Sequence, residues 1–170
     1  MSIEIINVQN VYDKIASDFD NTRYRPWSCV ESFLDNVPSN STIGDIGCGN
    51  GKNMLYRKDC TNLGCDFSNN LVSICVKKNL NVISGDILNI PYKDNTFDYT
   101  ICIAVIHHLS TNEKRKKAIS ELLRVTKSTG KILILVWALE QEPDSRRKFT
   151  EQDNMVDWKD KKGNLLGKRY

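Results

Sequence analysis

The stretch GDIGCGNGK, residues 44–52, decides the fold. Glycines at 47, 49 and 51 follow an apolar run and Asp45. Without Cβ atoms they can take positive φ and let backbone N–H groups approach a ligand closely. A tight turn with no ligand is commonly marked by one glycine; three behind an acidic residue favour a ligand. The spacing also excludes two kinds of loop. A P-loop needs glycine at position 46, where Ile46 stands, and Ser or Thr after Lys52, where Asn53 stands. A dinucleotide fingerprint needs glycine at position 52.

Working outward, TIGDI (42–46) reads as a short strand entered from the turn PSNS (38–41), and the glycine loop leads into an expected helix through residue 57. Upstream, Val8, Val11, Ile15 and Phe19 recur at helical spacing, and Trp27, Val30, Phe33, Leu34 and Val37 mark a second helix. Downstream, NLGCDF, NVISGD and FDYTICIAVI read as strands. SNNLVSICVKKN is a helix between the first two. TNEKRKKAISELLRVTKSTG reads as a helix that Gly130 ends in a left-handed conformation, and KILILVWAL is a final buried strand. Strands alternating with helices require parallel pairing through right-handed crossovers. The expected class is therefore α/β: a Rossmann-like, mostly parallel twisted sheet with helices on both faces.

With 170 residues, the expectation is one domain. It divides into N-terminal helices (1–40), a ligand-binding core (41–140) and a basic C-terminal segment (141–170). Apolar residues make up 40% and charged residues 26%, and no apolar run approaches the ~20 residues of a membrane span, so no membrane partner is expected. The first residues lack a secretory pattern, which points to a cytoplasmic or nuclear address. Six cysteines without a C-x-x-C pair read as reduced, packed thiols, and no metal site is expected. The net charge is only +3, but its basic excess gathers in EKRKKAISELLRVTK and in the last 26 residues, compatible with RNA or with a solvated face.

The pattern D-x-G-C-G-x-G resembles the first motif of class I S-adenosylmethionine-dependent methyltransferases. The resemblance implies that Gly47 and Gly49 hold the amino-acid part of S-adenosyl-L-methionine and that Asp45 orders the loop. Asp66, ending the second strand, would accept both ribose hydroxyls, in the way dinucleotide folds use an acidic residue. Asp86, with Ile87 beside it, would meet the adenine, and Ala104 would flank the sulfonium methyl. An N-P-P-Y motif of nitrogen-methylating enzymes does not follow the fourth strand.

TRYRPW (22–27), AVIHHLST (104–111), WALEQE (137–142) and SRRKF (145–149) carry a closer likeness. With the glycine loop they resemble eukaryotic tRNA wobble-uridine carboxymethyl methyltransferases, including the domain fused to an AlkB-type hydroxylase in animals. That resemblance implies methyl esterification of 5-carboxymethyluridine in the tRNA anticodon loop. It also implies a small zinc-binding activator subunit, expected to cover the sheet edge near LNVISGDILNI (80–90).

A carboxylate with a pKa near ~4 is ionised at neutral pH and needs no general base, so positioning is the task. Guanidinium forks make Arg23, Arg146 and Arg147 candidates for orienting the carboxymethyl group or neighbouring phosphates. His107 or His108 is a candidate substrate contact through a neutral imidazole N–H; the alternative is that one of them packs or caps. Trp27 and Trp137 can stack on a splayed base, or Trp27 can bury against the sheet. Tyr12 and Tyr24 either line the cofactor cleft or cover the core.

After Leu139 only 31 residues remain, and GNLLGKRY reads as a sixth strand cut off as it begins. The sheet is thus expected to lack its last antiparallel strand pair. Two other readings stay open beside the wobble-uridine enzyme: a small-molecule methyltransferase and a truncated, non-catalytic cofactor-binding module.

Overall fold

The computed structural model describes residues 2–145, 148–159 and 163–170. Residues 5–9 form a π-helical turn that runs into α1 (Asn10–Asp20), followed by α2 (Ser28–Asp35) and β1 (Thr42–Ile46). Next come β2 (Thr61–Asp66), α3 (Asn69–Lys77), β3 (Val82–Ser84) and β4 (Phe97–Ile103). A 3-10 turn (Ile106–His108), α4 (Asn112–Val125), β5 (Thr126–Leu135), β6 (Val156–Lys159) and β7 (Leu165–Arg169) complete the chain.

The first five strands form one parallel sheet in the order β3-β2-β1-β4-β5. Successive strand residues face opposite sides, and both sides are covered. On one, Ala118, Leu122 and Val125 of α4 pack with Ile46, Phe97 and Cys102. On the other, Val30 and Leu34 of α2 pack with Ile43 and Ile101. Burying each of these large side chains contributes about 1.5–3 kcal/mol. Helix starts follow from local chemistry: the Ser68 hydroxyl accepts from Leu71 N at 3.2 Å, and the Thr111 hydroxyl accepts from Lys114 N at 3.3 Å.

Three local expectations change. The glycine loop does not enter a helix; residues 47–56 wind through successive turns, with Gly51 N bonded to Cys48 O and Met54 N to Gly51 O. α4 ends at Val125 and β5 starts at once, so Gly130 lies inside a strand rather than capping a helix. There, a Cβ would stand 2.6 Å from Asp98 O and 2.9 Å from Lys127 O, so close backbone approach and not a left-handed φ requires the glycine.

The tail also folds. β6 and β7 pair antiparallel as a separate two-stranded sheet, where a strand cut short was expected. β7 lies on α1: Lys14 Nζ donates to Leu166 O at 2.8 Å and Asn7 Nδ2 to Lys168 O at 3.3 Å. Gly167 admits this approach, since a Cβ there would be 3.0 Å from Val11.

At the β3 edge the apolar side chains mostly turn inward. Ile87 and Ile90 are buried, leaving Ile83 exposed on the strand. All six cysteines are free thiols, four of them buried. No helix among the described residues is long and apolar enough to cross a membrane.

Gly130→Ala should cost about 1–3 kcal/mol, because backbone carbonyls cannot yield to the added methyl as a flexible side chain would. Urea denaturation of the variant beside the parent chain measures the loss.

Candidate active site

A cleft opens over the carboxyl ends of β1, β2 and β4, where strand order reverses, which is where ligands bind in open α/β sheets. Its floor is the glycine loop. Gly47 has φ +78°, and a Cβ there would collide with the Val105 side chain. The loop is clamped to β2: Gly47 N and Cys48 N both donate to Cys65 O, at 2.8 and 3.0 Å, and Gly49 N donates to Asp66 Oδ2 at 2.7 Å. These amides are therefore engaged by the protein. The glycines let Val105 and Phe19 pack against the loop, and do not offer the bare N–H groups expected from the sequence.

Below the loop, Asp45 is buried and accepts from Asn53 Nδ2 at 3.3 Å. It does not line the cleft. Its Oδ1 and Asn53 Oδ1 have no hydrogen-bond partner among the described residues. Burial pushes the Asp45 carboxyl up to about 7, with the Asn53 amide opposing and the Asp66 charge adding. Asp66, at the end of β2, accepts from Gly49 N and also from Ser68 N at 2.9 Å, so it braces the loop as well as facing the cleft. Asp86 lies two residues beyond β3; its Oδ1 accepts from Leu88 N at 2.9 Å, and it lines the cleft with Ile87.

The far wall starts where β4 ends. Ala104 there takes φ +59°, a costly conformation for a residue with a Cβ, and lines the cleft. The next turn presents the two histidines. His107 Nδ1 accepts from Trp137 N at 3.2 Å, which fixes the proton on Nε2, and that buried nitrogen has no partner among the described residues. Burial holds the His107 imidazole neutral, down to about 3, with His108 and Arg169 contributing. His108 Nδ1 donates to Tyr170 O, and its Nε2 accepts from Tyr12 Oη at 3.0 Å. Burial lowers His108 to about 4. Tyr12 in turn accepts from Arg169 Nη1 at 3.1 Å. Arg169 is 4% exposed, and its position was hidden in what reads as a basic tail.

Aromatic rings and cations form the mouth. Trp27 is 43% exposed with Lys52 Nζ 5.3 Å from its ring centroid, so it stands at the rim rather than in the core. Arg23 lies over Phe19 and Trp158 at 5.1 and 5.6 Å, and burial lowers its pKa, the Arg169 charge adding to the effect. Tyr24 is 82% exposed and does not line the cleft; its hydroxyl bonds back to Asn21 O. A second depression adjoins, sharing His107, His108, Trp137 and Arg169 as a common wall, with Phe149 stacked on Trp137 at 6.0 Å. Arg146 and Arg147 lie outside the described residues.

A family model described as a methyltransferase domain matches residues 44–134. The chain belongs to that methyltransferase family. It is 49% identical over 143 residues to the Arabidopsis thaliana tRNA (carboxymethyluridine(34)-5-O)-methyltransferase, covering 84% of this chain and 35% of that protein. To the Schizosaccharomyces pombe protein of the same name it is 46% identical, covering 93% of this chain and 71% of the relative. The chain thus spans about a third of the plant protein's length. A Haloferax volcanii methyltransferase, solved in complex with the Trm112 methyltransferase activator, matches at TM-score 0.65 and 20% identity over 76% of this chain and 60% of that one. At that identity the likeness is one of fold.

The chain thus gathers Tyr12, Arg23, Trp27, Gly47, Gly49, Asp66, Asp86, Ile87, Ala104, His107, His108 and Trp137 around one cleft. The sequence reading left out Phe19 and Lys52, and also Arg169 with Trp158, which packs on it behind the cleft wall. The apolar-polar alternation of VDWK, with Val156 and Trp158 on one side, is the signal for the hairpin that carries the last two.

His108 supplies a pH test. Its folded pKa lies below the ordinary value of about 6.5, so between these values the unfolded chain binds more protons and stability falls as pH falls. The stability difference between the parent chain and His108→Gln should therefore shrink by about 2 kcal/mol from pH 7 to pH 5 and level off near pH 4. Denaturant titrations at each pH measure it.

Proposed function

We propose that this chain transfers a methyl group from S-adenosyl-L-methionine to the carboxylate of 5-carboxymethyluridine at the wobble position of tRNA, making its methyl ester. The observation that carries the reading is a cleft with acidic residues on its floor and cationic, aromatic groups on its wall. The names of the plant and fission-yeast relatives support the acceptor.

The floor fits the cofactor's groups. Asn53 Oδ1 is an unpartnered buried acceptor lining the cleft, suited to an ammonium. Asp66 and Asp86 each keep acceptor capacity beyond their backbone bonds, suited to ribose hydroxyls and an adenine amino group. Gly47 and Gly49 line the same floor, where the amino-acid part would lie over the loop backbone. When bound, the cofactor supplies an electrophilic methyl whose carbon–sulfur bond breaks as the ester carbon–oxygen bond forms, the electron pair staying on sulfur.

No proton moves in that balance, and the wall agrees. The acceptor carboxylate is already ionised at neutral pH. His107, neutral down to about 3 and with its Nδ1 lone pair engaged by Trp137 N, is suited to donate from Nε2 and orient substrate rather than act as a base. Ala104 narrows the cleft at the expected methyl position. Holding the reacting atoms in line about 3–3.5 Å apart is then the main contribution to rate. Trp27 and Trp137 offer stacking faces, with Arg23 and Lys52 close by for phosphates.

The partners follow the same reading: a tRNA anticodon loop at the mouth and a small zinc-binding activator along β3. Among the described residues β3 is an edge strand of the sheet and carries exposed Ile83, a surface suited to strand addition. The fold neighbour solved with its Trm112 activator is in keeping with this.

Incubation of the chain and activator with S-adenosylmethionine and tRNA bearing 5-carboxymethyluridine should yield the methyl ester, read by nucleoside mass spectrometry; transfer only to small molecules would refute the reading. Asp66→Asn should weaken cofactor binding at least about tenfold by calorimetry, since charged hydrogen bonds contribute about 1.5–3 kcal/mol. Ile83→Lys should abolish co-purification with the activator while leaving the fold intact by circular dichroism.

A further inference from the structure

Among the described residues Arg169 is an unusual charge. Its side chain is almost wholly buried, and its guanidinium packs among three rings, 4.7 Å from the centroid of Trp158, 5.4 Å from Trp137 and 5.9 Å from Tyr12. Nη1 is satisfied by Tyr12 Oη at 3.1 Å. Nε and Nη2 are buried with no partner among the described residues. These two nitrogens form one edge of the planar group, the fork that meets a carboxylate through two parallel bonds. A buried guanidinium with that edge empty is a heavy cost in the free protein unless an anion completes it.

Position narrows the anion. Arg169 and His107 stand in the wall shared by the cofactor cleft and the neighbouring depression, where the Trp137 and Phe149 rings stack. The His107 Nε2–H is a second unpartnered donor on that wall. Arg23 adds a second guanidinium whose charge feels that of Arg169. A carboxylate attached to a flat ring suits all of this: the ring against the aromatic faces, the anion on the fork.

We propose that the Nε–Nη2 edge of Arg169 is the receptor for the substrate's carboxylate and that it sets the preference for an acid over its neutral amide. This rests on the methyl-ester reading above and supplies the orienting arginine expected at Arg23, Arg146 or Arg147. Two bonds to the fork use one lone pair of each oxygen, and the remaining lone pairs stay available for attack on the methyl carbon. The rings hold the guanidinium in place, so the fork is pre-organised before substrate arrives.

The test uses the full chain and two anticodon stem-loop RNAs, one carrying 5-carboxymethyluridine and the other its uncharged 5-carbamoylmethyl counterpart. The parent chain should bind the acid at least about tenfold more tightly, and Arg169→Gln should reduce that ratio to about twofold or less. A ratio unchanged in Arg169→Gln, or absent from the parent chain, overturns the proposal. Should Arg169→Gln fail to fold, the parent chain labelled with nitrogen-15 arginine decides. The Arg169 Nε–H resonance, assigned by its absence from Arg169→Lys, should shift on addition of 5-carboxymethyluridine nucleoside and not of the amide; a stationary resonance refutes the receptor. The two failures separate, because methyl transfer to the acid RNA by the parent chain upholds the function even where Arg169 proves indifferent. Conversely, a shifted resonance without transfer keeps the receptor and removes the reaction.

Discussion

The end of β2 holds the site together. Its last two residues, Cys65 and Asp66, offer one carbonyl and one carboxylate, and these capture three consecutive amides of the glycine loop. The carboxylate also takes Ser68 N, at the start of α3. A charged acceptor bonded to backbone amides in a buried place is among the stronger local ties available to a protein. The loop, the strand and the helix that follows thus share one joint. Loosening it would free the floor of the cleft and shift α3, whose Ser68 and Asn70 are held by Asp13 of α1.

The cleft is electrostatically divided. Asp45, Asp66 and Asp86 gather under and beside the floor, and burial raises the first two toward neutrality. Opposite them stand Arg23, Lys52 and Arg169, the first two with their pKa values lowered mainly by burial. Burial thus disfavours the charged forms of Asp45 and Asp66 on one side and of Arg23 and Lys52 on the other. The sulfonium donor and carboxylate acceptor proposed above would bring one charge of each sign to these two sides.

Much of this was legible in the sequence. Strands and helices alternate with distinct periodicities, so the parallel sheet and its two covered faces follow from apolar spacing alone. Gly47, Asp66, Asp86, Ala104 and His107 fall at strand ends, which the fold class places on one side. What escaped reading depends on tertiary contact. Gly130 carries a helix-ending signal, but the approach of Asp98 O needs the same residue inside a strand. The glycine spacing reads as ligand-facing amides, but Cys65 O lies within their reach only once β1 and β2 are paired. Arg169 is one cation among many in a basic tail, and only the docking of β7 on α1 turns it inward while Lys168 stays outside.

That docking also fixes when the site is completed. Asn7 meets Lys168, and Tyr12 meets Arg169, across nearly the whole length of the chain. Such distant contacts form late, after the local helices and the sheet have condensed. The joint between the glycine loop and β2 needs no such contact, whereas the Arg169 side of the wall does. The two sides of the cleft therefore differ in contact order: undocking of β7 would release Arg169 from the wall while the loop stays tied to β2.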